Sequence, residues 1–194
     1  MPEQLSLPGI EPPRAPTDRL FFALLPDAAA ASRIAALARR LKAELGLKGR
    51  PLAMDRFHVT LHFFGDHLGL PEGLVAALRQ AAGRVTVPPF RLTFDRAGSF
   101  AGRPRKRPFV LRGDEGLVSL MAFQKSLGEA MKAVGLGRLV DMRFTPHVTL
   151  LYDDRLVPDM VIEPIEWVAN EFVLVDSLLG QTRHVPLARW PLST

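Results

Sequence analysis

Two identical strings in this chain carry the side chains of acid–base chemistry. His58-Val59-Thr60-Leu61 and His147-Val148-Thr149-Leu150 both read HVTL and lie about half a chain length apart. Side chains alternate faces along a strand, so His58 and Thr60 share one face while Val59 and Leu61 share the other, and the second copy divides in the same way. Each copy therefore offers an apolar face to a core and a polar face to a groove. Set side by side across an approximate twofold axis, the two strands would bring two imidazoles and two hydroxyls around one tetrahedral oxyanion. The hydroxyls donate to non-bridging oxygens, one imidazole takes a proton from water, and the other protonates a departing oxygen. An ordinary histidine pKa of about 6.5 suits both tasks near neutral pH.

Other chemistries lack their residues. The chain has no Cys, which removes disulfides, thiol nucleophiles and Cys-based metal sites together. His58 and His62 are four apart, which in a strand is roughly 13 Å, too far for a shared ion. HExxH, GxxxxGK[ST], GxSxG and a strand followed by GxGxxG are all absent, so neither a metal nor a cofactor is expected. By simple alternation His62 shares the face of His58 and can border the groove, although His62 and His67 read first as surface or edge residues. His184 reads as a structural or rim residue.

The elements that must position the motifs follow from periodicity. Residues 1–18 hold Pro2, Pro8, Pro12, Pro13 and Pro16 and read as a flexible lead-in to a single domain over 19–194. Strands are expected at Leu20–Leu25, Met54–Gly65, Phe90–Asp95, Pro108–Arg112, His147–Tyr152, Phe172–Leu179 and Val185–Trp190. Helices are expected from Ala28 to Leu45 behind an Asp27 cap, from Glu72 to Ala82, and from Leu117 to Val134. Uneven alternation of strands and helices indicates α+β or mixed α/β architecture. Arg103, Arg105, Lys106 and Arg107, with Arg96 nearby, form the densest positive charge and read either as a solvated loop or as a lip that guides a phosphate backbone. Phe100 beside them can stack on a base, but with 12 phenylalanines in the chain it reads first as core. Tyr152 alternates away from Thr149, and needs a strand end or a bulge to reach the groove.

These motifs and their flanks resemble the two-histidine phosphoesterase superfamily, and within it the bacterial and archaeal RNA 2',3'-cyclic phosphodiesterase branch, historically the 2'-5' RNA ligase family. Leu20-Phe21-Phe22-Ala23-Leu24-Leu25-Pro26 looks like the opening strand, HVTLHFFGD from His58 the first motif, FTPHVTL from Phe144 the second, and HVPLARWPL from His184 the closing strand. The resemblance implies a bilobal, pseudo-twofold α+β fold with two antiparallel sheets around a central cleft and helices outside. It implies opening of a terminal 2',3'-cyclic phosphate on RNA to a 2'-phosphate, with His58 as proton donor, His147 as proton acceptor, and Thr60 and Thr149 on the phosphoryl oxygens. Joining RNA ends through a 2'-5' linkage is the same chemistry reversed, with a ribose 5'-hydroxyl in place of water. Two positions depart from the family pattern: many members follow the second motif with Ala-Arg where this chain has Leu151-Tyr152, and Lys is frequent where it has His62.

Length, composition and charge fit this reading. The chain has 194 residues, 47% hydrophobic, with a formal charge of +5, enough for a packed core and mildly attractive to an anionic partner. It has no apolar run of membrane-spanning length and no basic, apolar leader, so a cytoplasmic monomer acting on RNA ends, with no membrane or protein partner, is expected. Two alternatives use the same residues: an RNA end-binding or 2'-5' ligating protein, and a phosphodiesterase for small cyclic nucleotides.

Overall fold

The computed structural model describes residues 15–102 and 106–194. Short apolar runs and Gly or Pro breaks divide this chain into eight strands and three longer helices among the described residues. Strand β1 is Asp18–Leu24, β2 Val59–His67, β3 Phe90–Ser99 and β4 Arg107–Arg112. Strand β5 is Val148–Asp153, β6 Met160–Ala169, β7 Glu171–Leu178 and β8 Arg183–Pro191. Helix α1 (Ala28–Leu45) starts where the Asp27 carboxylate accepts from the Ala30 N–H at 2.7 Å and stops at Gly46, whose φ of 63° is left-handed. Helix α2 is Glu72–Ala82 and α3 is Val118–Ala133.

The strands form two antiparallel four-stranded sheets, ordered β2-β1-β7-β8 and β5-β4-β3-β6. The units β1-α1-β2 and β4-α3-β5 occupy matching places, so each HVTL strand is the edge of its own sheet. The two strands are thus not hydrogen-bonded neighbours; they face one another from separate sheets, which corrects the side-by-side arrangement expected above. Helix α1 leaves the first sheet and packs on β5 and β6 of the second, while α3 leaves the second and reaches β2. This exchange joins the lobes through one continuous buried cluster that includes Phe22, Ile34, Leu61, Phe94, Phe123, Leu150 and Phe172. Burial of each such side chain is worth about 1.5–3 kcal/mol. The opposite face of the first sheet carries a smaller layer, Phe21, Ala23, Val173 and Val175.

Several boundaries differ from expectation, each for a local reason. Strand β6 was not anticipated, because Glu163, Pro164 and Glu166 interrupt its apolar positions. Proline is tolerated there because β6 is an edge, and the Pro164 carbonyl accepts from Arg33 at 2.6 Å. Met54–Arg56 is a 3-10 turn instead of the start of a strand, and Leu117 closes another such turn ahead of α3. The expected lead-in falls outside the described residues over 1–14. Its last residue, Asp18, opens β1, and the Thr17 N–H before it donates to the His67 carbonyl. Among the described residues no helix is long and apolar enough to cross a membrane.

Candidate active site

The same irregularity occurs in both motif strands. In the first sheet Ala23 stands opposite Thr60 and Phe22 opposite His62, which leaves Leu61 as an extra residue. In the second, Val110 stands opposite Thr149 and Phe109 opposite Leu151, which leaves Leu150 as the extra one. A bulge of this kind lets two successive side chains take one face. Leu61 and His62 both turn into the core at 1% exposure, as do Leu150 and Leu151 at 0%, and the next residues, Phe63 and Tyr152, return to the groove at 48% and 51%. His62 is therefore a core residue, and neither the groove border nor the surface position expected for it holds. Its Nδ1 accepts from the Asp141 N–H at 3.2 Å, so its Nε2 carries the proton and donates to the Gln124 carbonyl at 3.0 Å. Tyr152 gains the bulge it needed.

Between the two edges lies a cavity of about 290 Å³ lined by His58, Thr60, His147 and Thr149. His58 donates Nδ1–H to the Arg56 carbonyl at 2.7 Å, and His147 donates Nδ1–H to the Thr145 carbonyl at 2.8 Å. A carbonyl can only accept, so both rings are held as the tautomer whose Nε2 lone pair is free. Each ring also rests on an aromatic neighbour: Phe21 stacks on His58 at 4.8 Å between centroids, and Phe100 meets His147 edge-on at 4.9 Å. Phe100 is thus a buttress of the second histidine instead of a core residue.

Electrostatics hold both histidines neutral in the open cleft. Burial, opposed by the carbonyl partner and reinforced by the charges of His147 and Arg56, lowers His58 to about 4. Burial likewise lowers His147, with Arg112 adding to it. His184, expected as a structural or rim residue, lines the cavity with its ring 5.1 Å from that of His58. Burial, then the charges of His58 and Arg56, hold it at about 3.

Residue spacing did not single out Arg19, Phe21, Leu52, Arg56, Phe63 or Ser177, which complete the lining. Arg19 forks onto Asp66 at 2.6 and 2.8 Å and lies 5.7 Å over the Phe63 ring. The buried Arg56 Nε has no hydrogen-bond partner among the described residues. The available signal for Arg56 was its position two residues before the first histidine. Of the basic run, Arg103 and Arg105 lie outside the described residues, Lys106 is exposed, and Arg107 donates to the Asp154 carbonyl. Neither Lys106 nor Arg107 lines the cavity. His67 donates Nε2–H to the Phe64 carbonyl, away from the cavity, in keeping with an edge residue.

Comparison with known proteins gives concordant results. The family model described as LigT like Phosphoesterase matches residues 24–110. The RNA 2',3'-cyclic phosphodiesterase of Escherichia coli (strain K12) is 35% identical over 153 residues, covering 75% of this chain and 81% of that protein. A protein of the same name from Archaeoglobus fulgidus is 28% identical over 144 residues, covering 73% and 76%. The crystal structure of E. coli LigT in apo form superposes with a TM-score of 0.69 at 32% identity, covering 93% of this chain and all of that one.

Proposed function

This chain belongs to the LigT-like phosphoesterases, and from that membership and its paired histidines we propose that it opens the 2',3'-cyclic phosphate at the end of an RNA to a 2'-phosphate. The observation that carries this reading is the matched pair of Nδ1–H bonds to carbonyls two residues upstream, which leaves two free Nε2 atoms beside two threonine hydroxyls in one cavity. Thr60 and Thr149 donate to the non-bridging oxygens. His147 Nε2 removes a proton from water as its oxygen attacks phosphorus. The bond from phosphorus to the 3'-oxygen breaks, and His58 delivers a proton from Nε2 to that oxygen. His58 must arrive protonated, and the phosphate anion between the rings supplies the negative charge that raises its pKa from the low value of the empty cleft. Phosphate charge and proton transfer are thereby handled by the chain's own side chains, without a metal.

The test is a short RNA ending in a 2',3'-cyclic phosphate, incubated with EDTA, comparing the wild type with His58→Ala and His147→Ala. The expected result is a 2'-phosphate product from the wild type and a loss of 100-fold or more in each variant, the usual range for general acid–base groups being about 10²–10⁴. A cyclic end left unopened by the wild type, or opened equally by His58→Ala, overturns the assignment.

A further inference from the structure

Beside the catalytic cavity lies a second one of about 420 Å³, and the two share Leu52 and Arg56 as a wall. Arg50, Arg56 and Thr182 bring donors to it, and Asp55 is the one carboxylate among its described lining residues. Neither arginine forms an ion pair with that carboxylate or with another among the described residues. Near the motifs other cations are cancelled locally, Arg19 by Asp66 and Arg112 by Asp159. The loop that carries Arg50 is held in place, because Lys48 N–H and Gly49 N–H donate to Asp153 and Leu52 N–H donates to the Leu150 carbonyl. Thr182 joins from the turn between β7 and β8 with a left-handed φ of 52°, a conformation unfavourable for a β-branched residue that persists where its surroundings enforce it. Two uncancelled guanidinium groups and a hydroxyl around one cavity, on a fixed loop, suit a phosphate.

Which phosphate this is follows from the proposed reaction. Water enters beside His147 and the 3'-oxygen leaves beside His58, roughly in line through phosphorus. The ribose that keeps this oxygen, and the RNA attached to it, therefore extend on the His58 side. Arg56 lies on that side, two residues before His58, and lines both cavities. The first further negative group on that path is the phosphodiester between the terminal nucleotide and its 5' neighbour. We infer that Arg50 and Arg56, with the Thr182 hydroxyl, bind this phosphodiester. The inference rests on the cyclic-phosphate reading above and adds a second phosphate site, so that the chain selects the end of an RNA over a free nucleoside 2',3'-cyclic phosphate. It puts the backbone contact on the loop before the first motif instead of on the basic run expected to guide it, of which neither Lys106 nor Arg107 lines either cavity. A phosphate that does not react is held alike in the ground state and the transition state, so its contacts are expressed in KM.

The experiment compares two dinucleotides ending in a 2',3'-cyclic phosphate, one with its ordinary phosphodiester linkage and one with an uncharged methylphosphonate linkage. The wild type is expected to prefer the charged linkage about tenfold or more in kcat/KM, as for a charge-assisted contact. On that linkage log kcat/KM should also fall more steeply with log salt, by about 0.7, the value for one single-strand phosphate contact. In the double variant Arg50→Gln, Arg56→Gln the preference falls below about threefold through a rise in KM for the charged linkage. The ratio between linkages is the readout because Arg56 also acts on His58, and an effect on proton transfer cancels in it. Arg50→Gln alone, at an exposed position, lowers the ratio at least about twofold, and it decides the matter if the double variant does not fold. A wild-type ratio below about threefold overturns the inference, as does a ratio that stays above it in the double variant or, in its place, one unchanged by Arg50→Gln. Binding of the same two dinucleotides ending in a 2'-phosphate separates this inference from the reaction. If the wild type opens neither cyclic end, the proposed reaction fails, and an affinity ratio above about threefold upholds the second site while a smaller one overturns it.

Discussion

A histidine whose Nδ1–H is bound to a carbonyl has one nitrogen left for chemistry, and in this cleft two such nitrogens answer each other. Their local partners are alike, Arg56 O for His58 and Thr145 O for His147, so the acid and base roles proposed for them are distinguished by the charges around each ring and not by these bonds. Beside His58 stands Arg56, whose charge adds to burial and the charge of His147 in lowering it. Arg56→Gln removes a cation, which favours the imidazolium, so the His58 pKa is expected to rise from about 4 in the free protein. Histidine NMR titration of the variant against the wild type measures this directly, and no upward movement would mean that Arg56 does not act on the ring. The residue types and their spacing made His58, Thr60, His147 and Thr149 legible in the sequence. They did not make Arg56, Phe63 or His184 legible, because those side chains reach the cavity through a 3-10 turn, a bulge and a strand of the far chain end.

Edge strands carry both motifs, and what holds one edge to the other is a short loop. The buried Asp153 at the end of β5 accepts from Lys48 N–H and Gly49 N–H at 2.7 Å each and from Arg155 N–H at 3.0 Å, and Leu52 N–H donates to the Leu150 carbonyl at 2.8 Å. The loop between α1 and the first motif is thus tied to the strand of the second. Burial pushes the Asp153 carboxyl up, but the backbone donors outweigh it and hold it at about 2. Asp153→Asn weakens charge-assisted bonds worth about 1.5–3 kcal/mol, and a loss of that order is expected in denaturant unfolding, with lower turnover as the motifs lose registration. At Gly49 an added Cβ would stand 2.1 Å from the Tyr152 carbonyl oxygen, so Gly49→Ala should displace the same loop and lower both quantities. Normal stability and turnover in both variants would show that the loop does not set the motif spacing. Helix α1 was legible down to its Asp27 and Gly46 caps because capping is local. The bulges were not, since a bulge is defined by the partner strand's register.

Across the whole molecule, histidines are held neutral by burial while an aspartate pulls the other way. His58, His62, His147 and His184 all lie below their ordinary value, the first at about 4 and the last at about 3. Between pH 6.5 and those values the unfolded chain binds more protons than the native one, so this part of the stability is complete above pH 6.5 and is lost as pH falls. Asp176, buried against Asp18 and pushed up to about 6, does the reverse: its contribution is complete below its ordinary 3.8 and is lost as pH rises through 6. Four histidines against one such aspartate predict a thermal midpoint that falls from pH 7 to pH 4, and falls more steeply in Asp176→Asn. A midpoint that rises on acidification would refute this balance. The sequence by itself determined a mixed strand and helix architecture, the two polar motif faces and the helix caps, because strand alternation and capping act over a few residues, while the α+β class and the reaction were implied by the family resemblance of its motifs. Only the tertiary structure decided that the motif strands are edges of separate sheets, that His62 is core while Tyr152 and Phe63 face the cleft, and that His184 adjoins His58. Those facts depend on which strands pair and in what register, which is set by burying one core between elements far apart in the chain.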